Sequence, residues 1–206
     1  WIYVPDVSAE QADAAFARLG RGEDLAADET DRLESWCADV TAKLAGEQGM
    51  TLQLFHGSRA YADSSSVNNT SAWNPQLIPS LAQHFVQHPY TQFELFLATR
   101  IPSHEVAMLA RVHYNLSVSG AWWHGFTPST MTTFFRDRLE VLPNTAWNAF
   151  YSDGYMVEWV YAKQLVTKNR LAHALGGLVD EGFLTTDDAL DIARRLVHDN
   201  AVEMYG

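Results

Sequence analysis

The chain of 206 residues has a single cysteine, Cys37, and that scarcity removes both an internal disulfide and any cysteine-based zinc site. A lone thiol suits a reducing, cytoplasmic setting. Between Trp36 and Val40, on the apolar side of a helical pattern, Cys37 reads as a buried structural thiol and not as a nucleophile. Basic residues are scarce and scattered: 14 Lys and Arg stand against 25 Asp and Glu, a formal charge of −11. Nucleic acids and anionic membranes are bound through clustered Lys and Arg, so neither is an expected partner. No apolar run reaches the length of a membrane span, and the first residues lack the charged-then-apolar layout of a signal peptide. The eight histidines include no His-x-His and no His-Glu-x-x-His. His84, His88, His104, His113, His173 and His198 lie on or near helical patterns and read as surface or filler. The sequence does not open with Met, and its first residues resemble a strand under way, so it reads as processed or cut from a longer chain.

What is present is a soluble, 47 % apolar composition, enough for one sizeable core. Trp1 to Val4 is expected as a short strand ended by Pro5-Asp6. Ser8-Ala9-Glu10-Gln11 has capping-box spacing, and Ala14, Ala15 and Leu19 mark the apolar side of a helix closed by Gly20. Leu33, Trp36, Cys37, Val40 and Leu44 predict a second helix over about 29–46. Met50 to Gly57 is expected as a strand and 58–74 as a long polar loop, a length at which loops are functional or disordered. Residues 79–87 follow as a helix facing inward through Leu81 and Phe85. Further strands are expected at Phe93–Ala98, Leu116–Ala121 and Ala146–Tyr151, with helices opening at Ser103 and at Thr127-Pro128-Ser129. Beyond Asp153 the chain is helical, and Thr185-Thr186-Asp187-Asp188 caps a last helix through Tyr205. Strands alternating with helices predict a mostly parallel sheet wrapped by helices, in one α/β domain over 1–206 with a helical tail from about residue 156.

The stretch from Asn148 to Tyr155 draws the chemistry together. An apolar run ends in Ser152-Asp153-Gly154 and a helix begins at once, so a carboxylate sits at a strand-to-helix junction, where α/β proteins place their sites. The alternative is that Asp153 merely caps the helix beginning near Met156. Residues following the other strands would share the same rim: His56 and Arg59, then Arg100 and Ser103, then Trp122, Trp123 and His124, with Tyr155 beside Asp153. Arginine suits a carboxylate, aromatic faces suit sugar carbons, and Asp suits a metal or a proton. Adjacent Trp122 and Trp123 point to opposite sides of an extended segment, so at least one of them packs. A lone His56 is more often a hydrogen-bonded structural residue than a ligand.

Trp1-Ile2-Tyr3-Val4, Leu52-Gln53-Leu54-Phe55-His56-Gly57-Ser58-Arg59 with Asn68-Asn69-Thr70, Ser119-Gly120-Ala121-Trp122-Trp123 and Ser152-Asp153 together resemble the second half of the uronate isomerases, metal-dependent (β/α)8 barrels of the amidohydrolase superfamily. The resemblance runs in order along nearly the whole chain. It implies a TIM-type barrel of which only about strands four to eight are here. Asp153 would ligate a divalent metal, zinc by expectation, and help move a proton; His56 would join it as a catalytic group. Arg59, Trp122, Trp123 and Tyr155 would line the pocket of a small sugar acid. The implied reaction is aldose–ketose interconversion of a hexuronic acid. The family's histidine stands where this chain has Phe55, its arginine stands where this chain has Tyr155, and its first half with the His-x-His strand is absent. Two other readings remain open: a metal-dependent hydrolase or decarboxylase of small carboxylic acids, and a non-catalytic incomplete barrel. Either the missing half or a second copy of the chain is the expected partner.

Overall fold

The computed structural model describes residues 2–59, 70–71, 74–122 and 125–206, so Trp1, Trp123, His124 and most of the 58–74 stretch lie outside the described residues. The chain divides into two compact units, residues 1–52 with 74–92, and residues 53–73 with 93–206.

The first unit is helical. α1 (Ala9–Gly20) starts on the expected capping box: the Gln11 amide donates to Ser8 Oγ, while Gln11 Oε1 accepts from the Ser8 amide. Its buried positions are Ala12 and Ala15, and Leu19 is exposed. α2 spans Ala27–Glu47 and α3 spans Leu77–Gln87, the latter burying Leu77, Leu81 and Phe85. The expected strand at residues 1–4 is not formed among the described residues. Its backbone donors are taken by side chains instead: Tyr3 N–H by Ser80 Oγ, Val4 N–H by Ser35 Oγ at 2.9 Å and Ile2 N–H by Asp31 Oδ1 at 3.2 Å. Cys37 is exposed, contrary to the expectation of burial. The side of α2 that is buried runs through the small residues Ser35 and Ala42, and Val40 and Leu44 lie on the exposed side. Of the stripe read from hydrophobic spacing, Leu33 and Trp36 are half-buried, so that spacing found the packed side only in part.

The second unit is built on a four-stranded parallel sheet in the order β1 (Leu52–His56), β4 (Phe93–Leu97), β5 (Leu116–Ala121), β6 (Trp147–Asn148). Every residue of β4 and β5 is buried, as expected of parallel strands covered on both faces. Helices α4 (Ser103–Val112), α5 (Pro128–Val141) and α6 (Val157–Asp180) follow the strands in alternation, and α5 packs on α6. Within the expected polar loop, β2 (Ser58–Arg59) and β3 (Thr70–Ser71) pair as a small antiparallel ribbon.

β6 is much shorter than the apolar run 146–151. Only Trp147 and Asn148 pair with β5, opposite Val118 and Ser119. The tail takes over the remaining backbone groups: Ala149 N–H donates to Leu196 O at 2.9 Å, and Asn200 Nδ2 donates to Trp147 O and Asn144 O, each at 2.7 Å. Those contacts come from the junction of α7 (Thr186–Arg194) with α8 (Asn200–Tyr205), where the helix widens into a π turn over Arg195–Asp199. The last helix is thus interrupted, and the interruption places Leu196 and Asn200 against an edge that would otherwise expose unpaired groups.

Candidate functional site at the carboxyl ends of the strands

Gly120 sits one residue before the end of β5, and a Cβ there would meet Ala149 O at 2.9 Å and Tyr151 N at 3.1 Å. Only glycine lets β5 and the chain leaving β6 run this close. The approach brings Trp122 to Asp153, and the indole Nε1–H donates to Asp153 Oδ2 at 2.6 Å. Asp153 has φ of 42°, in the left-handed region that few non-glycine residues enter. It is not the cap of the following helix. α6 starts at Val157 with Met156 at its N-cap position and no side-chain cap bond, so the carboxylate is directed elsewhere.

Lys163, reaching back from α6, holds the turn: Nζ donates to Ser152 O and lies 3.5 Å from Asp153 O. The same amine lies over the rings of Phe126 and Trp159, at 5.7 and 6.0 Å from their centroids. Sequence reasoning passed over Lys163, which carries no motif and is ten residues from Asp153. The floor of the site is aromatic. Phe55 stacks on Phe96 with centroids 4.7 Å apart and meets Trp122 edge-on at 5.2 Å, while Tyr151 lies 4.1 Å from Phe96. Burial, and after it the charge of Asp153, pushes the Tyr151 hydroxyl up to about 12, so it stays protonated.

The predicted site residues are only partly brought together. Trp122 and Asp153 meet. Phe55 occupies the aromatic face of β1 that leads to Trp122, so His56, its neighbour on the strand, faces the other way. Among the described residues no hydrogen bond or ion pair joins His56 to Asp153. Tyr155 is 80 % exposed and rests edge-on against Trp159 at 6.1 Å. Arg59 lies on β2, and Trp123 falls outside the described residues.

Burial pulls the His56 imidazole from its ordinary 6.5 down to about 4. The unfolded chain takes up a proton near 6.5 and the folded chain only near 4, so between those values the unfolded state binds more protons. Stability present above pH 6.5 is therefore expected to fall as pH drops towards 4. Urea midpoints across that range test this, and His56→Gln should flatten the slope.

Beneath the site, Glu94 is a carboxylate 2 % exposed in the middle of β4. It accepts from Ser119 Oγ, from Asn148 Nδ2 at 2.7 Å, from the Tyr205 hydroxyl and from Gln53 Nε2 at 3.3 Å. Burial and the Glu94 carboxylate together raise the Tyr205 hydroxyl well above its usual range. In the helical unit, two histidines read as filler are not on the surface or idle: His84 is 1 % exposed, and with His88 it adjoins Asp39. Burial holds the His84 ring near 4, hence neutral. Asp39, His84 and His88 each offer one ligand atom and these lie within 4.8 Å of one another; four-residue spacing of His84 and His88 was the signal available.

The chain thus has a parallel sheet wrapped by helices, with a held carboxylate above an aromatic floor at the strand ends, the end at which α/β folds place their sites. No family model matches the chain. It is 23 % identical over 216 residues to the uronate isomerase of Nostoc punctiforme, covering 98 % of this chain and 45 % of the relative. Among solved structures, its fold is similar to part of uronate isomerase from Thermotoga maritima (TM-score 0.89, 18 % identity, 99 % of this chain and 47 % of that one). It also matches glucuronate isomerase from Caulobacter crescentus (TM-score 0.88, 19 % identity, 98 % and 44 %). The resemblance to uronate isomerases carried by the sequence motifs is borne out, and the chain spans about half the length of the relatives it matches.

Proposed function

We propose that the chain is the carboxyl-terminal half, about strands four to eight, of a (β/α)8 barrel of uronate-isomerase type, acting on a hexuronic acid once the other strands are supplied. The observation that supports this most is a collinear sequence similarity over 98 % of the chain to a uronate isomerase. The local chemistry agrees. Trp122 engages Asp153 Oδ2, and among the described residues nothing donates to Oδ1, which leaves one carboxylate oxygen for a metal or a proton. Asp153 thus fits one ligand position of a divalent ion, zinc by the family resemblance, with the rest of the ligand set coming from the remaining strands. Such an ion would polarise the substrate oxygens at C1 and C2. Asp153 would carry the proton that leaves one carbon and returns to the other, and the rings of Trp122 and Phe55 would form the apolar wall. With His56 turned from this face and Tyr155 exposed, substrate contacts from Arg59 and Trp123 complete the reading.

The test is turnover of D-glucuronate and D-galacturonate by this chain combined with the remaining strands, in one polypeptide or from a partner subunit. Metal-dependent conversion to the ketouronate is expected, with no hydrolysis of lactones or amides. Lactone or amide hydrolysis without uronate turnover would replace isomerase by metal-dependent hydrolase. Neither activity, with folding indifferent to metal, would make the chain a non-catalytic subunit.

A further inference from the structure

Asp39, His84 and His88 lie in the helical unit, and the reading above makes no use of them. His84 stands in the last turn of α3 and His88 is the residue that ends it, so the two imidazoles share a side of the helix, with ring centroids 4.9 Å apart. From α2, Asp39 brings Oδ1 to 2.7 Å from His88 Nε2 and 3.4 Å from His84 Nδ1. One ligand atom from each residue lies within 4.8 Å of the other two. We propose that these three side chains bind one divalent transition-metal ion, with zinc as the ion their chemistry suits best.

Two imidazole nitrogens and one carboxylate oxygen are a zinc donor set, whereas calcium and magnesium take oxygen ligands. Bonds of about 2.0–2.2 Å in tetrahedral array hold neighbouring ligand atoms roughly 3.3–3.5 Å apart. The His84 to Asp39 distance of 3.4 Å already meets that, and the His88 contact of 2.7 Å has to open by well under one ångström. Tyr3 donates its hydroxyl to the same Asp39 Oδ1 at 2.8 Å, an outer contact made on the ligating oxygen itself that helps to orient the carboxylate. Tyr3 itself is fixed through its backbone to Ser80 and rests against the His84 ring at 4.9 Å. Entry is provided on one side. A surface pocket of about 240 Å³ is bordered by Tyr3, Asp6, Asp39, Lys43 and His88, and it leaves room for water at the fourth position. The ion would clip α2 to α3.

The experiment uses the intact chain, freed of metal with a chelator and titrated with Zn²⁺ alone, with metal per chain read by elemental analysis and unfolding followed thermally. One Zn²⁺ per chain and a raised unfolding midpoint are expected. Binding should be lost in His88→Gln and in Asp39→Asn, reduced about tenfold in Tyr3→Phe, and kept in Asp153→Asn. Zinc binding absent from the folded chain, binding that survives both ligand substitutions, or binding lost with Asp153→Asn would overturn the proposal. Co²⁺ added to the unaltered chain gives a reading independent of how the variants fold. Intense visible bands of a four- or five-coordinate ion are expected, and the weak spectrum of a six-coordinate aqueous ion would overturn it.

Discussion

Glu94→Ala is expected to destabilise the sheet unit by about 3 kcal/mol or more, because each buried donor left without an acceptor costs about 1–3 kcal/mol. Glu94 gathers donors from four separate parts of the fold: Gln53 on β1, Ser119 on β5, Asn148 on β6 and Tyr205 at the end of α8. Ser119 and Asn148 are themselves buried, so water cannot replace the lost carboxylate without opening the sheet. Ser119 further carries the fully buried Arg138, whose Nη1 donates to Ser119 O at 3.0 Å and whose charged form burial disfavours, lowering it to about 10. Glu94→Gln keeps an accepting oxygen but turns an amide donor onto other donors, so an intermediate loss is expected. Tyr205→Phe removes the bond to the Glu94 carboxylate and the one accepted from Gln53 Nε2 at 2.8 Å, at a half-buried site, and should cost about 1–2 kcal/mol. Urea denaturation of the three variants checks the order, Ala worse than Gln and Gln worse than or equal to the tyrosine change. A Glu94→Ala loss below about 1 kcal/mol would show that the network contributes little.

If the chain acts as proposed, Asp153→Asn is expected to lower uronate turnover of the completed barrel by about 1,000-fold, within the range that one positioned proton-transfer group supplies. Stability should hardly change. Asn tolerates the left-handed backbone that Asp153 adopts with φ of 42°, and its amide oxygen can still accept from Trp122 Nε1–H. What the substitution removes is the charge that would attract a metal and the basic oxygen that would take a proton. Turnover assays with denaturation of the same protein separate the two effects. Full activity in a stable variant would exclude Asp153 from the chemistry, and equal loss of folding and activity would assign it to structure. The closing of β5 on the chain after β6, which Gly120 allows, is what sets this carboxylate against Trp122.

Several parts of the site were legible along the chain for definite reasons. The abrupt Ser152-Asp153-Gly154 after an apolar run marks a strand-to-helix junction because such turns need small or polar residues, and the structure places Asp153 there with its side chain engaged by Trp122. The direction of His56 was written in its neighbour: with Phe55 on the side of β1 that meets Trp122, strand alternation turns the next residue away. Glu94 was passed over, although it is the one charge in Phe93-Glu94-Leu95-Phe96-Leu97, a run buried on both faces where a carboxylate survives only with donors around it. Lys163 and Asp39 had no such signal. A lysine or aspartate on an amphipathic helix looks solvated until another element is laid beside it.

By itself the sequence determined the alternation of strands and helices, the capping boxes at Ser8 and Thr185, and the glycine-bearing strand end before Trp122. These depend on interactions within a few residues, where spacing and side-chain chemistry suffice. Only the tertiary structure decided that residues 2–4 would spend their amides on Asp31, Ser80 and Ser35 instead of a strand, that Cys37 would face out, and that the tail would stop β6 after two paired residues. It also decided that Asp39 would meet His84 and His88. Each of these turns on which of several competing partners reaches a backbone or side-chain group first, and that choice is made by packing between segments distant in the chain.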